Sequence, residues 1–107
     1  MVQKLDTVLR ICGHDIRIEE KEFNYSNNDI GVACFADCLI FIKPDSAYDV
    51  KRSTLLHELF HIINRANDLG LNDERVISNL ATSIFAMLRD NSEYFKKIFI
   101  DEENQNV

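Results

Sequence analysis

Two histidines four residues apart, with a glutamate beside the first, are the residues of this chain best suited to chemistry: His57-Glu58-Leu59-Phe60-His61. On a helix, positions i and i+4 stand one above the other, so His57 and His61 can turn two imidazoles toward one ion. Glu58 projects from the neighbouring position, where its carboxylate can reach a water on that ion. Two nitrogen ligands and a general base on one turn make the H-E-x-x-H constellation of a zinc hydrolase. In that chemistry the ion lowers the pKa of its water and Glu58 takes the proton as the oxygen attacks a carbonyl. The proton then passes to the leaving amine.

Zinc with two histidines needs at least one more protein ligand, and a catalytic site keeps one position open. Glu74 is the candidate. It precedes Ile77, Ala81 and Phe85 at helical spacing, which predicts a carboxylate on the buried stripe at the helix N-terminus. Burying it there is costly unless it is paired or metal-bound. The stretch between His61 and Glu74 has room for a helix end, a turn through Gly70 and a new helix start. Glu74 also reads as a first-turn acid favoured by the helix dipole. Asp73 is the fallback ligand, with Asp68 behind it. Asn64, Ser78 and Asn79 are within reach to orient the imidazoles, though each also reads as a solvated helix residue. His14, Tyr25 and Tyr48 qualify as oxyanion stabilisers by residue type alone.

Cys34-x-x-x-Cys38 followed by His57-x-x-x-His61 offers a competing set, a closed Cys2His2 structural site that does no chemistry. Its inter-pair spacing exceeds the usual finger spacing of about twelve. The helix is long and apolar rather than short and basic. Cys34 and Cys38 are adequately explained as small buried apolar residues.

The elements that must position these groups can be traced by period. Thr7–Cys12 and Asp15–Glu19 flank a Gly13-His14 turn, and the second run alternates apolar and charged residues like a half-buried strand. Asn24 to Asp29 is a polar loop. Gly31–Phe35 and Cys38–Ile42 form a second hairpin around Ala36-Asp37. The latter strand is apolar throughout, so both faces are expected to be covered; it can offer an edge to an extended peptide, or lie inside the sheet with none. Pro44 ends it. Helix begins between Ser46 and Thr54 and carries Leu55, Leu56, Leu59, Phe60, Ile63 and Ala66 at helical spacing. Gly70 is the expected stop, and Asn72 or Asp73 the next cap. The second helical stripe is Ile77, Leu80, Ala81, Ile84, Phe85 and Leu88, and a short helix follows over Ser92 to Ile100. Strands first and helices after predict an α+β fold: a small antiparallel sheet of two hairpins, with the H-E-x-x-H helix and a second helix on one face.

At 107 residues the chain reads as one domain, 1–107, with an acidic, solvated tail over 101–107. An apolar share of 46% argues against wholesale disorder. A net charge of −6 argues against a nucleic-acid partner, whose phosphates need a basic surface. No apolar run has the length of a membrane span, and the first residues do not read as a signal peptide. Three cysteines without an export signal point to a reducing cytoplasm.

Thr54–His61, Glu74-Arg75-Val76, Ala81 and the Leu88-Arg89-Asp90-Asn91 helix end together resemble the minimal zincin-type metallopeptidases of phages and bacterial mobile elements, often grouped as ImmA/IrrE-like. The likeness runs from about Gly31 to Asn91, and H-E-x-x-H is its most specific part. It implies a gluzincin site holding one Zn2+ ion: His57, His61 and Glu74 as ligands, Glu58 as general base. It implies a protein or peptide substrate, in the better-known relatives a helix-turn-helix repressor. No further Gly and His follow His61 in the metzincin pattern, which excludes that clan. No second domain for substrate docking is expected. The resemblance therefore implies either a peptidase for one specific partner, or a catalytically inactive zincin-fold interaction protein.

Overall fold

The computed structural model describes residues 4–23 and 29–100. The expected loop up to residue 28, the candidate Tyr25 and the acidic tail 101–107 lie outside the described residues. The order of elements is four strands and then three helices, the expected α+β sequence.

Strands β1 (Thr7–Ile11) and β2 (His14–Glu20) form an antiparallel hairpin. It turns through Cys12 and Gly13, both at positive φ. In β2 the alternation sorts the faces as expected, with Ile16 and Ile18 fully buried and Asp15 and Arg17 exposed. Strands β3 (Gly31–Cys34) and β4 (Leu39–Ile42) form the second antiparallel hairpin, closed by a 3-10 turn over Phe35–Asp37.

The two hairpins do not continue antiparallel. The sheet order is β1-β2-β4-β3, and β2 runs parallel to β4, with Arg17 opposite Leu39 and Glu20 opposite Ile42. The sheet is therefore mixed, not antiparallel throughout as expected. This register sets Ile16 and Ile18 beside Ile40 and Ile42, so four fully buried isoleucines make one continuous apolar face. On the other face Leu39 and Phe41 are only half-buried, less covered than expected. It also encloses β4 on both sides, which leaves β3 as an edge of the sheet among the described residues. The Cys38–Ile42 segment thus has no edge to offer.

Helix α1 (Tyr48–Ala66) lies across the isoleucine face, with Ile62 fully buried and Leu55 and Leu59 packed against the cluster. Helix α2 (Glu74–Asp90) packs on α1 through Ile77 and Ala81, and α3 (Ser92–Phe99) touches α2. One helix thus covers the sheet and the next stacks on that helix. The end of α1 falls earlier than Gly70. Asp68 takes the left-handed conformation at φ 50, Leu69 N–H reaches Asn64 C=O at 3.0 Å, and Asp68 N–H reaches Arg65 C=O at 3.4 Å. That is a Schellman closure built on an aspartate. Asp73 caps α2 as expected, accepting from Arg75 N–H at 2.9 Å.

One feature of the core has no local signature in the sequence. Lys51 of α1 is 1% exposed, and its Nζ meets Glu20 Oε1 of β2 at 2.6 Å. The second carboxylate oxygen of Glu20 accepts from Leu5 N–H at 2.7 Å, so the buried charges are both paired and hydrogen-bonded. No helix among the described residues is long and apolar enough to cross a membrane.

Candidate metal centre

Helical spacing on α1 does what the sequence implies: His57 and His61 face the same way, with their Nε2 atoms 3.1 Å apart. The start of α2 brings Glu74 to both. Its Oε1 lies 2.5 Å from His57 Nε2 and its Oε2 3.1 Å from His61 Nε2. Among the described residues, these three supply the group of potential ligand atoms that converge within 4.8 Å. Tetrahedral zinc with bonds of about 2.0–2.1 Å separates its ligand atoms by about 3.3 Å; the two 3.1 Å separations come near that, and the His57–Glu74 pair at 2.5 Å is tighter and would have to open to admit the ion. Hydrogen bonding alone can join a carboxylate to one imidazole. It does not call for two ring nitrogens facing each other as well. The donor set, two imidazoles and a carboxylate with one side open, fits a divalent ion.

Glu74 departs from expectation in one respect. Its side chain is 61% exposed, because the first turn of α2 overhangs the cleft and only Ile77 and Ala81 reach the interior. Convergence with the histidines, not burial, is what marks it. The fallback acids stand elsewhere. Asp73 is occupied by its cap and by Arg75, which holds its carboxyl below the ordinary value, and Asp68 closes α1.

Glu58 is buried against the sheet side of the same cleft. Burial, with the negative charges of Glu74 and Asp29 adding to it, pushes its carboxyl up to about 7; a hydrogen bond from Ala33 N–H pulls the other way. Ala33 belongs to the edge strand. Lys43 N–H bonds Ile30 C=O, so antiparallel alternation leaves the N–H and C=O of Gly31 and Ala33 facing the cleft. Gly31 makes this approach possible. A Cβ there would stand 2.5 Å from Thr54 Cγ2 and 3.2 Å from Glu58 Cγ.

Of the residues expected to orient the imidazoles, Ser78 Oγ lies 3.5 Å from His57 Nδ1, at the limit of hydrogen-bond reach. Asn79 points to solvent. Asn64 grips the backbone of Leu71 instead of an imidazole. The two oxyanion candidates among the described residues are not brought in. His14 packs edge-on against Phe35, and Tyr48 lies under Arg52 at the far end of α1. The cysteines stand apart too: Cys34 Sγ donates to Asp37 Oδ2 at 3.2 Å, and no sulfur joins the ligand group. Sequence reasoning missed Gly31 and Asp29, both of which line the cleft. A glycine opening a strand was the available signal for the first. No family model, curated protein or solved structure matches the chain.

Proposed function

We propose that this protein is a zinc-dependent peptidase. The observation that carries the reading is the convergence of His57, His61 and Glu74 beside a buried Glu58. A bound zinc ion supplies a Lewis acid that polarises the scissile carbonyl and acidifies a water. Glu58 takes the proton from the attacking water as the C–O bond forms, then delivers it to the nitrogen as the C–N bond breaks. Burial raises this carboxyl from its ordinary value, which favours its giving the proton back as well as taking it. An extended substrate strand adds to the edge of β3 through Gly31 and the Ala33 carbonyl, which hold the peptide beside Glu58.

The chemistry of the edge selects a protein or peptide, and the resemblance to ImmA/IrrE-like enzymes favours a helix-turn-helix repressor in the cytoplasm. A second reading, a metal-loaded zincin-fold interaction protein without activity, draws on α3. Its Tyr94, Ile98 and Phe99 are all more than half exposed. Glu58→Gln separates the two. For a peptidase, kcat falls by about 10²–10⁴ while bound metal and fold persist. An interaction protein keeps its function in that variant.

A further inference from the structure

Three ligands from two helices hold one ion only if the helices keep their places: Ile77 and Ala81 pack α2 on α1, and the connection sets where α2 starts. The residues between His61 and Glu74 have no regular structure beyond Ala66. The Schellman closure and the Asp73 cap fix the two helix ends, yet neither ties one helix to the other.

Asn64 does. It lies seven residues after His57 and three after His61, on the same face of α1. Its side chain is buried, the only buried amide in that helix. Asn64 Nδ2 donates to Leu71 C=O at 3.0 Å, and Asn64 Oδ1 accepts from Leu71 N–H at 3.0 Å. Both polar ends of the amide are spent on one residue of the connection, three positions before Glu74. The pair reproduces the two-bond pattern of an antiparallel strand contact, and it satisfies backbone groups that would otherwise be left to solvent. The face that presents two imidazoles thus also anchors the backbone from which the third ligand starts.

We infer that Asn64 is a positioning residue for the metal centre: it sets where Glu74 stands relative to His57 and His61. This rests on the metal-binding reading above. Side chains that orient a ligand without touching the ion typically change metal affinity by about 10–100-fold when removed, and Asn64→Leu, which keeps the branched shape and loses both bonds, is expected to fall in that range.

The test is Co(II) titration of the full chain, read by visible absorption, with His57→Ala as the reference for a broken site. Asn64→Leu and Asn64→Ala are compared with Ile16→Val, which trims the core far from the connection. The expected result is weaker Co(II) binding in both Asn64 variants and wild-type affinity in Ile16→Val. In a Glu74→Ala background, Asn64→Leu is expected to add nothing, because its effect passes through Glu74. An Asn64→Leu effect that persists without Glu74 overturns the inference. So does wild-type affinity in both Asn64 variants while His57→Ala loses the metal. If wild type binds Co(II) no better than His57→Ala, the metal centre falls and the positioning role falls with it.

Discussion

Gly31 decides how near the edge strand comes to Glu58. A methyl at that position meets Thr54 and the Glu58 side chain at once, and Ile42 Cδ1 at 3.0 Å. Gly31→Ala is therefore expected to cost about 1–3 kcal/mol in urea unfolding, as overpacked positions do. It should also lower kcat/KM more than a core variant of equal stability, because the shift moves Ala33 away from Glu58. Unchanged unfolding would mean that the strand has slack. At this scale the histidine pair was legible from its period alone. Glu74 was legible by spacing, but its exposure was not, since helical phase does not say whether a helix end overhangs a cleft. Gly31 and Asn64 act by contacts 27 and seven residues away in sequence, and no local pattern announces those.

Among elements, the union of α1 with β2 depends on a charge pair inside the core. Removing one partner strands the other charge, so Lys51→Met is expected to destabilise by about 3–5 kcal/mol, and Lys51→Met with Glu20→Leu to recover most of it. Burial alone would push the Glu20 carboxyl up. The Lys51 hydrogen bond, the Leu5 N–H and the Lys51 charge outweigh burial and the opposing Asp6, and hold it below its ordinary 4.5. As pH falls the unfolded chain takes up this proton first. The stabilisation is thus complete above the ordinary value and drains as pH drops through the lower folded value. Thermal melts across that range should show a steeper acid loss in wild type than in the double variant; equal slopes would remove Glu20 as the cause. The strands and helices themselves were legible from period-2 and helical patterns. The end of α1 was not, because Asp68 rather than Gly70 takes the left-handed position.

For the molecule as a whole, the α+β order was readable because hairpins and helices are local. The parallel pairing of β2 with β4 was not, since it joins strands separated by a connection and is chosen by how four isoleucines meet α1. That pairing makes β3 the edge and turns the edge toward α1. An ion held by α1 and α2 binds the folded chain and not the unfolded one, so it should raise the stability of the entire domain in proportion to its affinity. The most direct test is Co(II) added to the metal-stripped full chain, followed by visible absorption and thermal melting together. The expected result is one equivalent bound with weak d–d bands and a raised Tm, with loss of both binding and Tm shift in His57→Ala and His61→Ala and a measurable weakening of both in Glu74→Ala. Intense thiolate charge-transfer bands that vanish in Cys34→Ser, or a Tm indifferent to Co(II), would contradict the proposed His57-His61-Glu74 centre.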